Sequence, residues 1–229
     1  MDIIIRAFRA INDEETCKRY LQGHKQVLED HGFTHLKTNT ETWFYNPNVY
    51  VLVAEDKETG ELVGGVRLEK ATTEYELPVV KALKKIDPKI LPFVEKYIGD
   101  GIAEGCGLWN AKSVSGKRIS VLLVRAATAV SNQIDIQRLL AFLAKYTSYI
   151  ILRMGFLRQT SLGFNGDYHY PNEYFIANVY LNEYLEDLRF ARPEDKSKMF
   201  ALRQNHNLQL IEHEADAPIM VHYDLNIIK

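Results

Sequence analysis

One carboxylate stands where the rest of its segment is small or apolar. Glu104 lies inside Ile102–Asn110, IAEGCGLWN. A buried carboxyl holds its proton more tightly than one in water, which suits proton transfer near neutral pH; the competing reading is an ion pair with Arg67 across a sheet. Eleven residues further on, Ser115-Gly116-Lys117-Arg118-Ile119-Ser120 leads into an amphipathic stretch. The free backbone N–H groups of a helix start attract phosphate, and Lys117 and Arg118 would add charge; a plain solvated cap has the same composition. Asp167-Tyr168-His169-Tyr170-Pro171 holds an imidazole that could bind or deprotonate a ligand near neutrality, or merely stack among tyrosines. Cys17 and Cys106 show no CxxC spacing, and Cys106 reads as a small buried hydrophobe on its strand. No HExxH or G-x-S-x-G pattern is present, and no metal is expected.

These residues need elements to hold them. Ile3–Phe8 reads as a strand, and Asn12-Asp13-Glu14-Glu15 as a helix start, followed by Cys17, Tyr20, Leu21, His24, Val27, Leu28 and His31 at helical spacing up to Gly32. Val49–Ala54 and Leu62–Leu68 flank a polar turn and predict an antiparallel hairpin. Residues 72–101 interrupt the strand pattern as a helical insertion. Pro78 opens one helix with Val79, Val80, Leu83 and Ile86 on a shared face, and Lys89–Ile98 forms a second. Ile102–Asn110 is a buried central strand. A helix from Arg118 to about Ser131, a strand over Arg138–Ala144, a helix over Lys145–Met154 and a strand over Glu173–Leu181 follow. An extension from about residue 192 opens on Pro193-Glu194-Asp195, a helix start, and closes on the apolar Pro218–Leu225.

Hydrophobic residues make up 46% of the 229 and charged residues 25%, enough for a buried core in one domain spanning the chain. A net charge of −2 without basic blocks argues against nucleic acid or a membrane surface as partner. No run approaches 18 apolar residues and no leader pattern is seen, so a soluble cytoplasmic protein is expected.

The element order, the Glu104 strand, the Ser115–Ser120 loop and Gly155-Phe156 together resemble the GNAT (Gcn5-related N-acetyltransferase) superfamily. The resemblance implies an α+β fold, a mixed and mostly antiparallel central sheet flanked by helices. It implies acetyl-CoA or another acyl-CoA as donor and a small-molecule amine as acceptor, joined by direct transfer. The donor thioester would lie along Leu108, Trp109, Asn110 and Ala111, with its pyrophosphate on Ser115, Gly116, Lys117, Arg118, Ile119 and Ser120. Glu104 would be the general base, and a main-chain N–H near Leu108 or Trp109 would hold the oxyanion. The family places Arg or Gln at Ser115 and glycine-like residues at Arg118 and Ser120. Its usual helix tyrosine falls on Ile151, which leaves Tyr149 as the candidate acid. His169 and Tyr170 would border the acceptor.

Gly64-Gly65-Val66-Arg67-Leu68, Leu77-Pro78 and Ala103-Glu104 are similar to acyl-homoserine-lactone synthases, which carry an insertion at the same place. The likeness runs roughly from Arg19 to Leu108. It makes Arg67 a substrate-binding residue and implies a longer acyl chain. That family's next arginine is Gly107 here, and its upstream acidic positions are only partly kept around Glu41 and Tyr45. An acyl carrier protein would then be the donor, docking near Lys112, Lys117 and Arg118. A domain that binds acyl-CoA or a partner without turnover is the remaining alternative, and a homodimer is compatible with the fold.

Overall fold

The structure, a computed structural model, describes residues 1–30, 32, 41–215 and 217–227; His31, expected on the first helix, lies outside the described residues. Strand β1 (Asp2–Arg9) alternates buried and half-buried residues along its length, as the period of two requires. Asp13 then caps helix α1 (Glu14–Asp30): its carboxylate accepts the N–H of Thr16 at 3.0 Å. Strands β2 (Val49–Asp56) and β3 (Leu62–Lys70) form the expected hairpin. Helices α2 (Pro78–Leu83) and α3 (Ile90–Glu95) fill the interval before β4 (Ile102–Asn110). Pro78 occupies the first turn of α2, and Val79, Val80 and Leu83 are buried, but Ile86 lies beyond the helix end and is exposed.

Helix α4 (Ile119–Val130) and strand β5 (Arg138–Ala144) follow. The helix expected over Lys145–Met154 is instead a 3-10 turn and one helical turn, α5 (Tyr149–Leu152). Two-residue strands β6 (Leu157–Arg158) and β7 (Tyr168–His169) precede β8 (Ile176–Asn182). The last part adds α6 (Pro193–Gln204), β9 (Asn207–Glu212) and β10 (Ile219–Asp224).

Among the described residues the ten strands join one sheet in the order β6-β8-β5-β4-β3-β2-β1-β10-β9, with β7 also pairing β8. The pairs β1–β10 and β4–β5 are parallel, and the rest are antiparallel. One face packs Ile3, Ile5, Leu52, Val66 and Leu68 against α4 and α6. The opposite face carries an aromatic layer of Tyr20, Trp43, Phe44 and Trp109 beside α1, and an aliphatic layer under α2 and α3.

Helix α4 is anchored by charge as well as by packing. Arg125 is fully buried and bonds Asp195 (2.7 Å), Glu212 (2.9 Å) and Glu214. Arg153 shares Asp195 and Glu214, and Lys198 shares Glu212 at 2.7 Å. Three cations thus meet three carboxylates, and a buried charge is tolerated where it is fully paired in this way.

Candidate functional site

The site begins where two parallel strands part. β4 and β5 pair with each other from Ile102↔Arg138 to Gly105↔Ala141 and then part, each running on beside its other neighbour. On its other side β4 slips register against β3: Gly65 faces Trp109, but Arg67 faces Cys106. One extra residue is thereby accommodated on β4 at Gly107–Leu108. Gly107 takes a left-handed φ of 61° there, the usual conformation of a glycine bulge. Main-chain groups on the β5 side of this segment are left outside the ladder.

A cavity of about 510 Å³ fills the gap. Its walls are Cys106–Asn110 on one side and Ala141–Ala144 on the other. From α4 it takes Ser120, Val124, Ala127 and Thr128, a single stripe at helical spacing. Val66, Leu68 and Leu139 line its deep end, within the core beneath α4. Tyr170, Pro171 and Phe175 close it on the other face. The lining is predominantly aliphatic and aromatic, as in pockets that take hydrocarbon chains.

Four polar residues occupy neighbouring positions of one sheet face here, Cys106 in the cavity wall and Arg67, Glu69 and Glu104 outside its lining. Arg67 stands opposite Cys106, and Glu69 opposite Glu104. Arg67 Nε donates to Glu69 Oε1 at 2.7 Å, so the expected Arg67–Glu104 pair is replaced by Arg67–Glu69. Glu104 is 2% exposed and accepts the N–H of Val79 in the first turn of α2 at 2.7 Å. Burial pushes its carboxyl up to about 8; the Val79 bond works against this, and the Glu69 charge adds to it. Cys106 donates weakly to Glu69 Oε1 at 3.6 Å, and burial raises its thiol well above the ordinary range. It is therefore a protonated thiol rather than a nucleophile.

The structure brings some of the sequence candidates together and leaves others apart. Leu108, Trp109, Asn110, Ser120 and Tyr170 line the cavity, and Ser120 donates to Asn110 Oδ1 at 2.6 Å. Glu104 and Arg67 sit one layer behind it. Ala111 and Ser115–Ile119 fall outside the lining, at the strand end and the start of α4. Arg118 there adopts φ 59°, ψ 25°, a conformation that favours glycine. It occupies one of the positions where the family resemblance expects a glycine-like residue.

Two candidates stand elsewhere. Tyr149 is 51% exposed, with the Arg118 guanidinium 6.0 Å from its ring centroid; from α5 it is Ile150 and Ile151 that face the cavity. His169 is exposed on β7, and its Nδ1 lies 2.8 Å from the Glu173 carbonyl in the same hairpin. Sequence reasoning missed Glu69 and the polar surroundings of Cys106. The signal was present only as register: Val66-Arg67-Leu68-Glu69 alternates apolar with charged residues. Among the described residues no cluster of three or more His, Cys, Asp or Glu is arranged to hold a metal. None of the described helices is long and apolar enough to cross a membrane.

No protein-family profile and no curated protein matches the sequence. Solved structures do match the fold. One is FeeM, an N-acyl amino acid synthase from uncultured soil microbes: 14% identity, TM-score 0.62, covering 85% of this chain and 97% of that one. Another is BjaI, a CoA-dependent acyl-homoserine lactone synthase solved with SAM and isopentyl-CoA: 13% identity, TM-score 0.55, 96% and 94% covered. A third is an acyl-CoA N-acyltransferase from Pseudomonas aeruginosa: 10% identity, TM-score 0.53, 79% and 99% covered. The chain has the GNAT-like acyl-CoA N-acyltransferase fold, a mixed and mostly antiparallel sheet flanked by helices.

Proposed function

We propose that this protein is an N-acyltransferase that moves a medium or long acyl group from a thioester onto an amine. The observation that carries the reading is the cavity that starts at the β4–β5 parting and ends under α4 among Val66, Leu68, Val124, Ala127 and Leu139. A thioester seated in the parting would send its acyl chain down that branch. Each buried methylene would add about 0.8 kcal/mol. The pantetheine arm would run along Leu108–Ala111, and the pyrophosphate would meet Ser115–Ser120 at the start of α4.

In the reaction the acceptor nitrogen attacks the thioester carbonyl. Its proton passes to ionised Glu104, directly or through a water, and then to solvent. Main-chain N–H at the Gly107–Leu108 bulge receives the oxyanion. The C–N bond forms, the C–S bond breaks, and the thiolate leaves and is protonated by water. A thiol of pKa about 8.5 is a good leaving group, which fits apolar Ile151 where a proton donor is usual.

A second reading takes the acyl group from acyl carrier protein. It is favoured by exposed Lys112 and Arg118 and half-buried Lys117, grouped at the loop before α4, since an acidic carrier would be steered there. The test is the thermal midpoint of the protein titrated with free CoA, acetyl-CoA, octanoyl-CoA and octanoyl-acyl carrier protein, followed by turnover with amines. A rise with octanoyl-CoA exceeding that with acetyl-CoA supports the proposal, and a rise only with the carrier supports the second reading. Binding without turnover on any amine would make the domain a binding module, and no shift at all removes the donor site.

A further inference from the structure

Tyr20 stands where α1 packs against β3 and β4. It is fully buried, and its hydroxyl donates to the Gly107 carbonyl. Burial pushes that hydroxyl well above the usual phenol range, so it remains a donor. The ring is held edge-on by Trp43 and Trp109, at centroid distances of 5.6 and 6.0 Å. Two glycines make room for it. A Cβ on Gly65 would lie 2.6 Å from the nearest ring carbons, and a Cβ on Gly107 would lie 2.6 Å from the hydroxyl oxygen. Both approaches are closer than a real Cβ tolerates, so β3 and β4 leave this space to the tyrosine alone.

In a trans peptide such as Gly107–Leu108 the N–H points opposite to the C=O. With the Gly107 carbonyl turned to Tyr20, the Leu108 N–H is turned away from the Tyr20 layer. Gly107 and Leu108 both line the cavity. The β3–β4 register passes over them, from Cys106 to Trp109, and the β4–β5 register ends at Gly105. Strand pairing therefore does not fix this peptide. Glycine takes either sign of φ at little cost, so the peptide after Gly107 is free to turn over unless something holds it. The Tyr20 hydroxyl is that hold.

We infer that Tyr20 is a positioning residue for acyl transfer: its hydroxyl holds the Gly107–Leu108 peptide so that the Leu108 N–H faces the thioester carbonyl. The inference rests on the acyl-transfer reading above and assigns the group that sets its oxyanion site. A donor already in place stabilises the developing charge without a reorganisation cost at the moment of reaction. A hydrogen bond to the Gly107 carbonyl also polarises the peptide, which makes the N–H at its other end a stronger donor. Tyr20 itself is outside the cavity lining and acts through this one peptide.

The test compares wild type with Tyr20→Phe, which keeps the ring in its slot and removes the hydroxyl. Single-turnover transfer from octanoyl-CoA to an amine that the wild type uses should slow about 10- to 100-fold, somewhat less than the loss of an oxyanion donor itself. The affinity for octanoyl-CoA should stay within a few-fold of wild type. Octanoyl-CoA isotope-labelled at its thioester carbonyl gives a second readout: the infrared carbonyl band of the bound donor should move to higher frequency in Tyr20→Phe as its hydrogen bond weakens. A tyrosine that merely supports the fold would lower the thermal midpoint and move neither readout. An unchanged rate, a loss carried by binding alone, or a carbonyl band at the wild-type frequency overturns the inference and leaves the acyl-transfer reading standing. Should Tyr20→Phe fail to fold, Gly107→Ala serves instead, since its Cβ would displace the hydroxyl; the same loss of rate with octanoyl-CoA still bound supports the inference, and wild-type turnover overturns it. Should the wild type transfer the octanoyl group to no amine, it is the acyl-transfer reading that fails. The hold on the peptide is then decided by NMR of the protein alone. A Leu108 amide that shifts and exchanges faster in Tyr20→Phe supports it, and an unmoved resonance overturns it.

Discussion

Glu104→Gln separates two effects of one proton. The wild-type carboxyl is raised from 4.5 to about 8 by burial. In the unfolded chain it loses its proton above the lower value, whereas in the folded chain it keeps it up to the higher one. Between these pH values the folded state binds one proton more. Stability from this group is therefore complete below pH 4.5 and is lost as pH rises through 8, by about 1.4 kcal/mol per pH unit within that window. Glutamine keeps an oxygen for the Val79 N–H and does not titrate. The stability difference between wild type and variant should thus drift against the wild type from pH 5 to 8 and then level. Catalysis should move the opposite way. A base is useful only when ionised, about 1% of molecules at pH 6 and about half at pH 8. The ratio of wild-type to variant kcat should climb across that interval and flatten above it. The assays are urea unfolding and single-turnover acyl transfer over the same pH series. A stability difference that does not change with pH would refute the raised carboxyl. A rate ratio that does not change would remove Glu104 as the base.

Replacing Arg118 by Gly and by Ala removes the same charge but leaves a Cβ in the left-handed region only in the alanine variant. The glycine variant should be about 1 kcal/mol more stable than the alanine one, a midpoint about 2–4 °C higher, and both should bind acyl-CoA more weakly. Ala127→Phe fills the branch under α4. It should shift kcat/KM from octanoyl-CoA toward acetyl-CoA, with an overpacking cost of about 1–3 kcal/mol read by urea unfolding. Arg125→Met strands carboxylates of Asp195, Glu212 and Glu214 and should destabilise by about 3–5 kcal/mol. The KM for acyl-CoA measured well below the melting range should stay within a few-fold of wild type.

Much of the fold was legible because each long element repeats with its own period. Strands β1 to β5 and β8, and helices α1 and α4, fall close to their expected bounds, and α2 and α6 begin at the expected prolines. β9 was missed because NLQLIE is short, half polar and follows a helix directly, so nothing local marks it as a strand until β10 pairs with it. The segment after β5 read as one helix because Lys145–Met154 holds no Gly or Pro, yet the chain turns twice there to bring Ile150 and Ile151 to the cavity. Glu104 was legible as a carboxylate among apolar residues. Its neighbour Glu69 was not, because the pair is separated by 35 residues and meets only through strand register. The displacement of Tyr149 to the surface follows from the same short turn, which fixes the helical phase differently from a continuous helix.

The anchoring of α4 also has a bearing on how the protein is made. The partners of Arg125 lie 70, 87 and 89 residues further along the chain. At roughly 5–20 residues per second a ribosome needs about 4–18 s after making Arg125 to deliver the last of them. Through that interval the guanidinium lacks the three carboxylates it is buried with, so the helix that roofs the cavity is held back from its final seat. The cavity is thereby expected to close late in synthesis, and a nascent chain halted between α4 and α6 should expose apolar surface to chaperones.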